Sequence, residues 1–221
     1  MKVLVLGASR GIGLELVRQY LADGHAVTAT ARHDAGASAL AALGAHPLTL
    51  DVADLASCAG LAWSLDGEAF DVVWLVAGVY GPRTQALDVP TPADFDAVMH
   101  TNVLGAMRLL PVVAGHLAPG ARIGVLSTRM ASIGTRNSPS GWLYRASKAA
   151  LNSVLKDASL VLAGRAICVA FHPGWVKTDM GGPDAPVDVP TSVAGLANVI
   201  AKRAGSKKHA FVDFEGADLA W

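Results

Sequence analysis

Tyr144 and Lys148 stand four residues apart in the run Tyr144-Arg145-Ala146-Ser147-Lys148. Residues at i and i+4 share one face of a helix, so the ammonium of Lys148 is expected near the phenol of Tyr144, where it would favour the phenolate. A phenol with an unperturbed pKa near ~10 then becomes a usable acid or base around neutral pH. The second chemical group opens the chain: Gly7-Ala8-Ser9-Arg10-Gly11-Ile12-Gly13, a glycine-rich run suited to holding a dinucleotide.

These groups act together only if strands and helices bring them to one place. Residues 2–6 form a short apolar run, the glycines follow at once, and Leu14, Leu16, Val17, Tyr20 and Leu21 then recur at helical spacing. The run therefore joins a strand to a helix. In that setting Gly7 permits a tight turn, Gly11 lets the backbone approach a pyrophosphate, Gly13 allows close helix packing, and the helix N-terminus favours an anion. Ser9, Arg10 and Ile12 complete the turn. Residues 26–31, 46–50, 71–76, 122–127, 166–171 and 210–214 also read as strands, apolar on both faces and separated by stretches long enough for crossover helices. Such alternation predicts an α/β fold: one doubly wound parallel sheet of about seven strands, helices on both faces, and ligand at the carboxyl ends of the strands.

The composition sets outer limits. The 221 residues, 52% of them hydrophobic, fit a single domain over 1–221 with a large core. Net charge is zero, which gives no argument for nucleic acid or a membrane surface as partner. The apolar stretch at the N-terminus is cut short by Gly7, so no export is expected. Cys58 and Cys168 read as small buried hydrophobes rather than a disulfide framework, which fits a reducing cytoplasm. No His, Cys or carboxylate stands at metal-ligand spacing with His172, which reads as a strand-end residue.

The glycine turn after the first strand and the later Tyr-x-x-x-Lys together resemble the short-chain dehydrogenase/reductase family, and the likeness covers nearly the whole chain. Ser127-Thr128-Arg129-Met130, the run from Tyr144 to Asn152, and the tail with Phe214-Glu215-Gly216 and Trp221 are similar to the small C-factor and sniffer-type carbonyl reductases. The resemblance implies that Tyr144 is the acid/base, that Lys148 lowers its pKa and bonds the nicotinamide ribose, and that Asn102 holds a water in a proton relay. Thr128 takes the place of the usual catalytic serine, with Ser127 and Ser132 as alternatives.

The same resemblance implies a nicotinamide cofactor, NADP(H) in preference to NAD(H). Where an acidic residue would hold a ribose 2′-hydroxyl, this chain has Arg32, whose planar fork of donors suits a phosphate; Arg10 adds a second positive charge. Asp51, followed by Val52, occupies the place that holds the adenine amino group, with capping of a helix beginning near Ala53 as its other role. Ala77 and Gly78 keep the close approach to the cofactor, but Val76 replaces an asparagine of the family pattern, so support of that strand end must come from elsewhere. Pro173, Gly174, Val176 and Thr178 match a Pro-Gly-x-Val-x-Thr pattern that holds the carboxamide of the nicotinamide.

The expected activity is hydride transfer between NADP(H) and a small carbonyl or alcohol. The alternative is a cofactor-bound signalling protein of the C-factor type with little turnover. An epimerase or dehydratase would need a larger C-terminal substrate domain. Leu104, Met107, Leu109, Leu151, Val154 and Leu155 exceed one core-facing stripe on the helices at 92–117 and 141–162, so a homodimer or homotetramer is expected. Residues 173–190, broken by Gly181-Gly182-Pro183, predict a short lid without a long helix over a mobile cleft.

Overall fold

The structure, a computed structural model, describes residues 1–83, 87–206 and 208–221. Among these residues the strands are β1 (Lys2–Leu6), β2 (Ala26–Ala31), β3 (His46–Thr49), β4 (Phe70–Leu75), β5 (Leu117–Leu126), β6 (Ala166–His172) and β7 (Ala210–Asp213). They pair in parallel in the order β3-β2-β1-β4-β5-β6-β7. Every strand predicted from sequence is present. The largest difference is β5, which begins at Leu117 rather than 122 and shifts register against β4 between Phe70 and Val72.

Helices α1 (Gly11–Ala22), α2 (Asp34–Ala42), α3 (Leu55–Ser64), α4 (Pro92–Met99), α5 (Gly105–Ala114), α6 (Trp142–Val161) and α7 (Val189–Ala201) cover the sheet. Successive side chains of a strand point to opposite faces, and β1 divides accordingly. Val3 and Val5 pack with Leu16, Val17 and Tyr20 of α1, Leu40 of α2 and Leu196 of α7. Leu4 and Leu6 pack with Leu61 of α3, Leu109 and Val113 of α5, and Leu151 and Leu155 of α6. Each such side chain contributes about 1.5–3 kcal/mol on burial, so the strands must be apolar on both faces. Leu109, Leu151 and Leu155, counted above as surplus, are core residues; Met107 is half exposed, and Leu104 and Val154 are intermediate.

A π-helical turn, His100–Leu104, joins α4 to α5, and turns of this type occur often at functional sites. The continuous 92–114 helix is long and apolar, with a mean hydropathy of 1.3 over its most apolar window. Its Val98, Leu109, Leu110 and Val113 are buried within the protein.

Residues 173–188 contain no α-helix, as expected, and the loop makes hydrogen bonds within itself. Val176 bridges Val187, the Lys177 amide donates to the Val187 carbonyl at 2.8 Å, and the Trp175 indole donates to the Gly181 carbonyl at 2.7 Å.

Gly124 of β5 lies in register with Trp74 of β4, and a Cβ at 124 would come within 2.5 Å of the fully buried indole. Gly124→Ala should therefore destabilise the fold by about 1–3 kcal/mol, read as a lower urea midpoint, with Trp74→Phe in the same chain recovering part of the loss. An unchanged midpoint would contradict this packing.

Candidate active site

The strand order reverses between β1 and β4, and the loops leaving these strands open a cleft of about 490 Å³ at the carboxyl end of the sheet. Gly7 makes the turn with φ +98°, and a Cβ there would lie 2.7–2.9 Å from atoms of Ala77, so the first loop can leave the sheet only without a side chain. The amides of Val76 and Ala77 both donate to the Leu6 carbonyl, at 2.9 and 3.0 Å. These bonds support the strand end where Val76 stands in place of asparagine.

On one side of the cleft α1 presents its N-terminus. No side chain caps it and its first turn has no acidic residue, a state it shares with α5 and α6, but, unlike theirs, its end follows directly from the glycine turn on the cleft wall. Free amides and the positive end of the helix dipole suit a phosphate there. Arg32 is exposed beyond β2 on the cleft wall. Arg10 is also on the wall, but its guanidinium pairs with Asp179 of the 173–188 loop at 2.9 Å. Both partners of that pair are largely exposed, so the pair is worth at most about 1 kcal/mol and an anionic ligand can displace it. Asp51 Oδ1 accepts from the Ala53 amide at 2.9 Å. It does not cap the next helix, because α3 starts at Leu55 and its cap is Asp54, which accepts from the Ser57 amide at 2.6 Å.

On the other side stand Tyr144 and Lys148, both buried on α6 and both on the cleft wall. Lys148 Nζ donates to the Leu126 carbonyl at 2.8 Å and lies 5.9 Å from the centre of the Tyr144 ring. Asn102, placed by the π turn, is buried and fully engaged. Its Oδ1 accepts from the Val79 amide at 2.8 Å, and its Nδ2 donates to the Val79 carbonyl at 2.8 Å and to Ser147 Oγ at 2.9 Å. The side chain thus clasps the loop after β4 to α6. Thr128 Oγ1 accepts from the Met130 amide at 3.2 Å, which fixes its rotamer and leaves its proton free to donate.

The structure corrects the electrostatic expectation for the pair. Burial raises the pKa of Tyr144, and the adjacent Tyr80 adds to the rise, so the phenol is held neutral rather than as its anion. Burial also pushes Lys148 down to about 8. Lys148 points to a strand carbonyl rather than directly at the phenolic oxygen, and desolvation outweighs proximity. His172 pairs in register with Asp213 and burial pushes its pKa down to about 4, so near neutral pH it is uncharged.

Of the cofactor residues expected from sequence, Gly7, Ser9, Arg10, Gly11, Ile12, Arg32, Asp51, Val52, Ala77, Gly78, Pro173 and Thr178 line the cleft with Tyr144 and Lys148. Gly13, Gly174 and Val176 do not line it. Gly13 packs against the Gly7 carbonyl, Gly174 against the Phe214 ring, and Val176 is buried in its bridge to Val187. Thr128 and Asn102 are likewise outside the wall; Ser127 is on it, but its hydroxyl donates to Asn152 Oδ1 at 2.6 Å. Sequence reasoning missed Thr101, Lys177, Asp179 and Met180 on the wall. It also missed Tyr80, whose ring stacks on that of Tyr144 at 4.6 Å; only its proximity to Gly78 in sequence hinted at that position.

A family model of short chain dehydrogenases matches residues 1–186. C-signal of Myxococcus xanthus is 36% identical over 154 residues, spanning 68% of this chain and 92% of that protein. A carbonyl reductase from Pseudomonas aeruginosa PAO1 in complex with NADP superposes with a TM-score of 0.89 at 33% identity, covering 100% of this chain and 99% of that one. Carbonyl reductase Sniffer of D. melanogaster gives 0.91 at 29% identity, with the same coverage. A seven-stranded parallel sheet, an uncapped glycine-turn helix and the Tyr144–Lys148 pair on one cleft agree with these likenesses, and the chain belongs to the short-chain dehydrogenase family of oxidoreductases.

Proposed function

We propose that the protein is an NADP(H)-dependent reductase that interconverts carbonyl compounds and alcohols. The observation that carries this reading is that Tyr144, Lys148 and the uncapped N-terminus of α1 all face one cleft. A nicotinamide bound there would supply or accept the hydride. The residues fit such a group: free amides of α1 and Arg32 for phosphates, Asp51 for the adenine amino group, and Thr178 with Pro173 for the nicotinamide end.

The chain's own groups supply the rest. Tyr144, kept neutral by burial, donates its phenolic proton to the carbonyl oxygen, and Thr128 offers a second hydrogen bond to the same oxygen. Lys148, held by the Leu126 carbonyl, places a positive charge beside the phenolate that forms. Asn102 positions the loop after β4 against α6. The 173–188 loop covers the substrate end. The likeness to C-signal is the ground for a second reading, a signalling role with little turnover, but retention of both Tyr144 and Lys148 favours catalysis. The free, buried cysteines fit a cytoplasmic setting, and the exposed Met107, Leu160 and Val161 fit a homodimer or homotetramer.

Tyr144→Phe should nearly abolish carbonyl reduction while leaving NADPH affinity close to that of the unaltered chain, because it removes a proton donor and little binding surface; a variant that reduces carbonyls at the original rate would refute the assignment. Cofactor preference follows from Arg32: NADPH should bind at least about tenfold more tightly than NADH, roughly 1.4 kcal/mol, and Arg32→Ala should erase most of the difference in a fluorescence titration. Equal affinities in the unaltered chain would overturn it. The depressed pKa of Lys148 has a signed consequence, since the ammonium predominates only below about 8. Reduction should therefore decline as pH rises through that value, and a kcat/KM profile flat to strongly alkaline pH would contradict the role given to Lys148.

A further inference from the structure

The chain's zero net charge conceals a separation. Residues 97–156 hold seven of the eighteen lysines and arginines and none of the eighteen acids, and this stretch carries Asn102, Thr128, Tyr144 and Lys148. Part of its charge meets Arg83 around Tyr80, on the loop after β4. The Tyr80 ring lies on that of Tyr144, with centroids 4.6 Å apart and planes at 25°. Its hydroxyl fills the space beside Gly141, where a Cβ would come within 2.5 Å of it.

Two guanidinium groups flank this aromatic plate, and a third lies near one of them. Arg83 sits 5.2 Å from the Tyr80 ring centre and donates to the carbonyl of Met180, a residue of the cleft wall, at 2.9 Å. Arg145, buried next to Tyr144, donates to the Ser140 carbonyl at 2.7 Å and to the Met130 carbonyl at 3.5 Å. Arg136, exposed on the preceding loop, is close enough to add to the effect of burial in lowering the Arg145 pKa. Among the described residues none of the three is in an ion pair; the four pairs involve Lys2, Arg10, Arg18 and Arg129. One carbonyl oxygen takes a single donor of Arg83 and, among the described residues, leaves the rest of its fork open, and two carbonyls hold Arg145, in neither case cancelling the charge. Guanidinium charges without a carboxylate partner give a positive potential that extends to an incoming ligand.

We propose that the rim of the cleft beside Met180 and Tyr80 is an anion subsite, in which Arg83 holds a carboxylate or similar anionic group of the substrate and Arg136 adds positive potential, while the substrate carbonyl reaches Tyr144. The preferred substrates are then carbonyl compounds that carry a negative charge, with the body of the molecule lying against the Tyr80 ring. Guanidinium groups suit carboxylates because their planar donor fork matches two oxygens. Arg145 is committed to backbone carbonyls and contributes potential rather than contact. The substrate class rests on the reductase reading given above; the anion subsite itself does not.

The test compares 4-carboxybenzaldehyde with its methyl ester, methyl 4-formylbenzoate, at saturating NADPH. The two share the reacting aldehyde and differ in charge. The acid should have the higher kcat/KM by about tenfold or more at low ionic strength, an advantage that shrinks with added salt and falls at least severalfold in Arg83→Gln and in Arg136→Gln. Because the reading is a ratio within each variant, a general loss of activity does not imitate it. An ester reduced as well as the acid, or a ratio unchanged in both variants, would overturn the subsite. A titration of benzoate against methyl benzoate, followed by tryptophan fluorescence of the full chain, separates this inference from turnover. Benzoate binding that is tighter and depends on both arginines, with neither aldehyde reduced, would uphold the subsite and defeat the reductase reading. Benzoate binding no tighter than its ester would defeat the subsite whatever the turnover.

Discussion

The close approach of Gly7 to Ala77, where β1 and β4 part, is the contact on which the cleft depends. The Leu6 carbonyl takes the amides of both Val76 and Ala77, and a side chain at Gly7 would collide with Ala77. The two loops can diverge only because position 7 is bare. One loop runs into α1 and offers its free amides. The other reaches Gly78, where a Cβ would lie 3.2 Å from both Lys148 Nζ and Asn102 Oδ1. The glycine turn and the Tyr144–Lys148 side of the cleft are thus set relative to each other by one backbone contact.

Around that contact, burial rather than charge pairing governs the site. Lys148 lies in the interior with a carbonyl for its partner, and isolated buried cations are costly. The chain tolerates this where the lysine stands beside Tyr144. In the reaction proposed above, a phenol kept neutral by its surroundings gives the proton, and the nearby ammonium stabilises what remains. Asn102 makes the arrangement rigid: its amide group bonds the Val79 backbone in both directions and reaches Ser147 on the helix that carries the pair.

Much of this was legible in the sequence. The strands could be read because a parallel sheet covered on both sides demands apolar residues on both faces, as in Lys2–Leu6. Tyr144 and Lys148 could be paired because a four-residue spacing has one meaning on a helix. What escaped reading depends on distant partners. The direction of the Tyr144 shift is set by burial under Tyr80, which lies 64 residues earlier in the numbering. The π turn that delivers Asn102 answers to Val79 and Ser147, not to a local pattern. Nothing in the sequence indicated how Arg145 is used, because the carbonyls that take its donors belong to Ser140 and Met130 outside α6. The 173–188 loop is poor in helix formers, as read, but its closure by Val176 and Val187 is a tertiary event.

The central claim is that a hydride passes in this cleft between a nicotinamide and a carbonyl carbon. The most direct measurement is to incubate the full chain with an aldehyde and NADPH bearing deuterium at the transferable position of C4, and to examine the alcohol by mass spectrometry. The account predicts one deuterium on the carbinol carbon and a slower turnover than with unlabelled NADPH when hydride transfer limits the rate. NADPH that binds tightly while no carbonyl compound tested acquires the label would contradict it.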